Sequence, residues 1–333
     1  MFQETILQKR DQFTKIFDQL THSISWSVDK RVRMSITSQF MSTERDFDPK
    51  AYLYVIDFIK REEGWFSSLP YNTRYILAAL LITQFEDPYK AYSELKECYE
   101  VLTNNKFRKG PYTYLSAFSL LTHKKENGNL AEQAQRAMEI YKAIRSRHFF
   151  LTSSDDYPLS VLLSQSNRSI DSLMEDIEYF YDFLSKHGFR KGNDLQFLSH
   201  ILTQGQPERR VQLAETTARY LEAFQSEKVK IKGMHYPALG VLALIDTPEN
   251  TLADVIKAYS HFNESKLFRW YKDMSLLVAI QLYVQQIIAD NSVLSVGIAT
   301  SIQTILQAQQ AAMIAVISAG AVAAASSSNG GGN

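Results

Sequence analysis

The chain has 333 residues, 36 basic and 36 acidic side chains and 45% hydrophobic residues, and its 19 Phe, 18 Tyr and 3 Trp exclude a disordered chain or a small scaffold needing staples. Its one cysteine, Cys98, forbids an intramolecular disulfide or a thiolate metal cage, and such low usage fits a reducing compartment, so a cytoplasmic location is expected. Zero formal net charge leaves no global field to attract nucleic acid or anionic lipid.

The start, MFQETILQKRDQF, is charged from its fourth residue and lacks the apolar core of a secretory signal. The 13 Gly and 8 Pro are about half of a usual share of roughly 12%, so few turns are available and an all-α fold is expected. Apolar residues recur at three and four positions rather than at two. The spacing predicts helices over Glu4–Thr21, Val28–Met41, Pro49–Glu63, Asn72–Thr83, Pro88–Thr103, Pro111–Thr122, Leu130–Arg147 and Tyr157–Ser164. It continues with Ser169–His187, Asn193–Thr203, Pro207–Ser226, Pro237–Leu244, Pro248–Phe262, Phe268–Ala289 and Val293–Ala325. Asp48-Pro49, Asp87-Pro88 and Thr247-Pro248 each place a side-chain acceptor before a first-turn proline, and Asn129 with Glu132 reads as a capping box.

Internal repetition is the strongest signal. YEVLTNNKFRKG (Tyr99 to Gly110) returns as YDFLSKHGFRKG (Tyr181 to Gly192), six of twelve positions identical, 82 residues later. YILAALL at Tyr75 runs in step with YPLSVLL at Tyr157 and YPALGVL at Tyr236, at offsets of 82 and 79, and Phe268-Arg269 keeps the phase of Phe189-Arg190. Four helices in about 80 residues make two helical hairpins, which bury their apolar stripes only by stacking on neighbours. The expected architecture is an array of helical-hairpin repeats, an α-solenoid or an α/α ring, with the open form favoured because the terminal units look incomplete. One repeat domain spans 1–290, with units at about 1–70 (partial), 71–152, 153–233 and 234–290. An uncharged Ala-rich helix follows over 291–325, then a disordered tail over 326–333. The apolar stretch Ala311 to Ala325 falls short of the roughly 20 residues that span a bilayer.

Candidate sites follow from the repeat. FRKG places Arg108, Lys109, Arg190, Lys191 and Arg269 at one point of successive units, where stacking would line them into a basic ladder able to hold phosphates or acidic peptide segments. The competing reading is packing, with the phenylalanine anchoring the loop and the cations pairing with nearby acids or carbonyl ends. The third copy, Arg269-Trp270-Tyr271, has lost both lysine and glycine. Tyr157 and Tyr236, with His235, would line a concave groove in a functional reading and pack the core in a structural one. No two of the seven histidines stand four residues apart, and no phosphate loop, nucleophile elbow or dinucleotide fingerprint occurs, so neither metal nor cofactor is expected. Lys266 to Asp273 interleaves basic and aromatic residues as single-strand binders do, but the neutral chain argues against a nucleic-acid partner.

HGFRKGNDLQFLSHILT (His187 to Thr203), VKIKGMHYPALGVLALI (Val229 to Ile245) and the Ala-rich, Ser-ended tail resemble a family of Gram-positive bacterial proteins, domain of unknown function 4003, over about Lys9 to Ala325. The resemblance implies a cytoplasmic bacterial protein and carries over no activity, ligand or catalytic residue. The expected role is a non-enzymatic scaffold that binds a protein or peptide partner. The alternative is an enzyme or small-molecule binder with Asp155 and Asp156 near the mouth of a central cavity. A membrane partner is not expected, though the tail leaves it open, as the sequence leaves the oligomeric state.

Overall fold

The computed structural model describes residues 2–41, 45–64, 69–124, 128–245 and 251–289, together with Ile302 and Ile305. These residues form helices and no strand. The helices pair in chain order: α1 (Phe2–Ser23) with α2 (Lys30–Phe40), α3 (Pro49–Glu63) with α4 (Tyr71–Gln84), α5 (Pro88–Asn104) with α6 (Pro111–Thr122), and α7 (Leu130–Arg147) with α8 (Tyr157–Ser164). The pairing continues with α9 (Ile170–Lys186) and α10 (Asn193–Leu202), α11 (Arg210–Ser226) and α12 (Tyr236–Leu244), and α13 (Thr251–Glu264) and α14 (Lys272–Ala289).

Local chemistry sets many boundaries as expected. Asp48 accepts hydrogen bonds from the N–H groups of Lys50 and Ala51, and Asp87 from those of Tyr89 and Lys90, each ahead of a first-turn proline. Asn129 caps α7 through the N–H groups of Ala131 and Glu132, while Glu132 bonds the Asn129 side-chain amide. Among starts whose flanking residues are described, two differ from the sequence expectation by three residues or more. Pro207–Arg209 forms a 3-10 turn ahead of α11, and α14 begins at Lys272 because buried Phe268 is held in a turn by the Tyr271 N–H bond to its carbonyl. The Thr247-Pro248 cap and nearly all of the expected 291–325 helix lie outside the described residues; Ile302 and Ile305 are helical and buried with Ile280 and Val284.

The two helices of each pair play different parts. In α9 only a stripe is buried, including Leu173, Ile177, Phe180 and Leu184, as in an amphipathic outer helix. Every residue of α8 and α12 and Thr113–Leu121 of α6 are buried, so these helices are covered on all sides. First helices pack on first helices, α5 on α7 and α9 on α11, and second helices on second helices, α6 on α8 and α10 on α12.

The two FRKG turns share a backbone conformation. Lys106 and Gly188, at equivalent positions, both have left-handed φ (74° and 87°), and Gly110 and Gly192 sit at φ 153° and 142°. A side chain at Gly110 or Gly192 would meet nothing within 4 Å, so the dihedral angle, not crowding, selects glycine there. Phe107 packs on Tyr157 with ring centroids 4.7 Å apart at 62°, and Phe189 on Tyr236 at 4.7 Å and 66°. The FRKG phenylalanine therefore latches the third pair to the fourth and the fifth to the sixth. Phe268, its third equivalent, packs instead on Phe13 and Phe262, 5.2 Å from each.

That difference belongs to a seam. The last pair packs on the first, α13 against α1 and α14 against α2. An open array would leave these ends apart and cover them with polar caps, whereas Phe13, Phe17 and Met34 share an apolar cluster with Phe262, Phe268 and Val278. Each terminal pair removes the other's greasy side from water.

Candidate functional site

Among the described residues the turns within the first and the third to seventh pairs lie at one end of the molecule, here the hairpin end. Phe107 of the α5–α6 turn reaches Tyr157 at the start of α8, the Arg190 N–H donates to the Tyr236 hydroxyl at 3.0 Å, and Asp273 at the start of α14 pairs with Lys232 at 3.4 Å and Arg31 at 3.6 Å. The connections between pairs form the opposite, crossover end.

The FRKG cations are used differently from the arginines of the crossover end and from Arg31, Arg33 and Lys232 at their own end, which have carbonyl or carboxylate partners. At the crossover end arginines serve the C-terminal carbonyls of second helices. Arg45 donates to the carbonyls of Ile82 and Phe85 at 2.7 Å, Arg136 to that of Ser166 at 2.9 Å, and Arg168 to that of Thr203 at 3.3 Å while also pairing with Asp176. These bonds satisfy orphan acceptors at the negative ends of helix dipoles. At the hairpin end Arg108, Lys109, Arg190, Lys191 and Arg269 are all exposed, and among the described residues none makes a side-chain hydrogen bond or ion pair. The packing role proposed for FRKG thus divides: its phenylalanine packs, and its cations face water.

Four turns at this end gather further positive charge, while the α1–α2 turn holds Asp29, and the α7–α8 turn Asp155 and Asp156, without a Lys or Arg. The α5–α6, α9–α10, α11–α12 and α13–α14 turns each carry two or three cations and at most one acid, whereas the α4–α5 connection at the crossover end holds Glu86 and Asp87 without a cation. The N-terminal ends of the second helices add partial positive charge there. A net charge of zero therefore conceals a separation of charge along the molecule.

The three residues expected to line a groove are interior. Tyr157 and Tyr236 are 3% and 6% exposed, each locked edge-on against a phenylalanine. His235 is 1% exposed; its Nδ1 accepts the Lys232 N–H at 3.0 Å, which leaves Nε2–H to donate to the Asp273 carbonyl at 3.3 Å. Burial pushes its pKa down to about 4, so the ring is neutral and ties the α11–α12 turn to α14.

A polar cluster that sequence spacing did not reveal lies inside. His200 is fully buried with its Nδ1 3.7 Å from Asp156 Oδ1, and Gln196 Nε2 reaches Thr152 Oγ1 at 3.1 Å and Asp156 Oδ1 at 3.4 Å. The charges do not form an ion pair. Burial drives the His200 pKa down to about 3 and, with Asp155 close by, holds the Asp156 carboxyl well above its ordinary range. Neither ring nitrogen of His200 has a hydrogen-bond partner among the described residues. With the His200 ring neutral and both groups buried, this pair is poorly placed for acid–base catalysis on an entering substrate. Among the described residues no group of three or more His, Cys, Asp or Glu side chains is arranged to hold a metal ion.

Aromatic tips are the other feature the sequence reading missed. Trp26, Phe149, Phe150 and Trp270 are 89%, 60%, 96% and 82% exposed, and each sits in a hairpin-end turn. The signal available was a tryptophan in the α13–α14 turn where two sister copies carry lysine.

Comparison with known proteins gives lineage without chemistry. No solved structure matches the chain. It is 29% identical over 319 residues to "Uncharacterized protein YeaA" of Bacillus subtilis (strain 168), an alignment covering 95% of this chain and 96% of that protein. The model of one family, described as "Protein of unknown function (DUF4003)", matches residues 16–311, and the chain belongs to that family.

Proposed function

We propose that the protein is a non-enzymatic scaffold, a closed α/α ring of seven helical hairpins, that binds a negatively charged macromolecular surface through its hairpin end. Support for the ring comes from the succession of pair-on-pair contacts and from the seam that joins α13 and α14 to α1 and α2. The observation that carries the binding role is the unequal use of cations. Arginines at the crossover end are consumed by helix carbonyls, while five cations at equivalent points of the repeat face solvent without a structural task. Positive charge held on rigid helix ends steers an anionic partner and fixes its orientation.

The test uses the full chain on a sulfonate cation-exchange resin near pH 7.4, close to the sequence pI of about 7.1. Patch-driven retention is expected despite the neutral balance, with release by modest salt. The variant R108Q/K109Q/R190Q/K191Q/R269Q is expected to pass unretained, and K50Q/K90Q/K124Q, changed at the crossover end, to remain bound. A wild-type chain that is not retained removes the reading, as does retention that falls equally in both variants.

A further inference from the structure

The four exposed aromatic tips narrow the class of partner. Every exposed tryptophan and phenylalanine among the described residues lies at the hairpin end, in the turns of the first, fourth and seventh pairs. If the seven pairs close into a ring, the fourth lies across from the junction of the seventh and first. The tips then stand on opposite sides of one face and rest together on a flat surface rather than converge on a pocket.

Each side of that face joins an aromatic tip to a cation. The Arg269 guanidinium lies 5.9 Å from the Trp270 ring, and that of Arg145 lies 5.1 Å from the Phe149 ring. Trp26 occupies the turn adjoining α2, whose Lys30 and Arg31 reach the neighbouring Tyr271 ring of the α13–α14 turn. Aromatic rings held at the depth of lipid headgroups, beside cations that meet their phosphates, make up the chemistry of interfacial attachment.

We propose that the hairpin end docks flat on an anionic lipid surface, with Trp26, Phe149, Phe150 and Trp270 entering the interfacial layer and the repeat cations lying over headgroup phosphates. This rests on the binding-face reading above and assigns its partner. Attachment is peripheral, since no helix among the described residues is long and apolar enough to cross a membrane. Two other polyanions fit less well. Single-stranded nucleic acid stacks on rings that floor a basic groove, but Phe150 protrudes, its ring edge-on to Phe149. Acidic protein segments are anchored by side chains in desolvated pockets, and these tips form none. The zero net charge that argued against a membrane does not weigh here, because a surface potential acts within about a Debye length and meets only the facing end.

The experiment is co-sedimentation of the full chain with vesicles of phosphatidylcholine alone and of phosphatidylcholine mixed with phosphatidylglycerol, with resin retention measured in parallel. Binding is expected to the anionic vesicles only, and to weaken severalfold as salt rises. The five-cation variant should lose on the order of a thousandfold in partitioning, at about fivefold for each cation removed. W26S/W270S and F149S/F150S should each lose on the order of tenfold while staying on the resin. All these side chains are exposed, so unchanged circular dichroism is expected and marks loss of binding as a surface effect. Wild-type chain that stays on the resin but ignores anionic vesicles overturns the lipid assignment and leaves the basic face standing, more so if it binds polyglutamate or a single-stranded oligonucleotide. Failure on both resin and vesicles removes the two readings together. Vesicle binding that survives both aromatic variants overturns the role given to the tips.

Discussion

Ser38 and Gln281, 243 positions apart, exchange hydrogen bonds inside the seam: Ser38 Oγ donates to Gln281 Oε1 at 2.5 Å, and Gln281 Nε2 donates to the Ser38 carbonyl at 3.3 Å. Both residues are buried, so the pair exists only if the first and last pairs of helices touch. A double-mutant cycle of S38A and Q281A, read by denaturant unfolding, is expected to give a coupling energy of about 0.5–3 kcal/mol. Independent, additive losses would mean that the two ends do not meet in solution.

The repeat signature should separate into a packing half and a free half. Phe189 is 3% exposed against Tyr236, and F189A is expected to destabilise by about 3–5 kcal/mol through lost burial and a residual cavity. Y236F removes the acceptor of the Arg190 N–H and should cost about 0.5–1.5 kcal/mol. R190Q/K191Q, on exposed side chains, should move stability by no more than about 0.5 kcal/mol per site. Comparable losses in F189A and R190Q/K191Q would show the cations to be structural after all.

At the crossover end the expectation reverses. Arg168 joins Asp176, the Ser172 hydroxyl and the Thr203 carbonyl, and Asp176 is 4% exposed. R168A strands part of that network, and Arg210 remains as the other partner of Asp176 at 2.9 Å. A loss of about 2–3 kcal/mol is expected for R168A, with a further drop when R210A is combined with it. Thermal melts of the three variants decide this, and a melt of R168A that overlays the wild type rules out the carbonyl-capping role.

What could be read in advance follows from how local each cause is. Asp48, Asp87 and Asn129 cap helices within three residues of themselves, so their chemistry is written in adjacent letters, and the phase of FRKG through Gly110 and Gly192 is a comparison of one stretch with another. The Ser38–Gln281 seam has no such trace, because two buried polar residues far apart carry no mark that they face each other. The Asp156–His200–Gln196 cluster was hidden for the same reason: a search for ligand spacing along one helix passes over groups contributed by α10 and the turn before α8. Formal charge concealed the most. Summed over the chain it vanishes, and only the assignment of each turn to one end shows that it is divided.

Acid should weaken the fold through its buried imidazoles. His235 has a folded pKa of about 4 against an ordinary value of about 6.5, so the unfolded chain takes up its proton first as pH falls. A depressed histidine contributes its stability fully above pH 6.5 and loses it progressively toward pH 4. The raised pKa of Asp156 has the opposite sign and favours the fold at lower pH, which offsets part of the loss. Across this window H235N, which keeps an acceptor for the Lys232 N–H, is expected to show a slope of stability against pH shallower by up to about 1.4 kcal/mol per pH unit, the worth of one proton. Denaturation midpoints at several pH values measure it, and parallel wild-type and variant curves would mean that His235 is not the group that titrates.

His200 is the residue whose removal should help. It is fully buried, its ring nitrogens have no hydrogen-bond partner among the described residues, and the equivalent positions of the flanking repeat copies hold Phe118 and Ala279, both buried and apolar. An orphaned pair of polar atoms costs about 1–3 kcal/mol that an apolar side chain of similar size does not. H200L is therefore expected to raise the unfolding free energy by about 1 kcal/mol or more, less whatever overpacking the extra shape introduces. Because His200 also loses stability in acid, the gain should be largest below pH 6.5, where the unfolded wild type is protonated and the folded wild type is not. Stabilisation of that kind would identify His200 as a residue the core alone does not require. A loss of several kcal/mol at neutral pH would instead show that the imidazole is held by the fold for packing, and that its polarity is compensated.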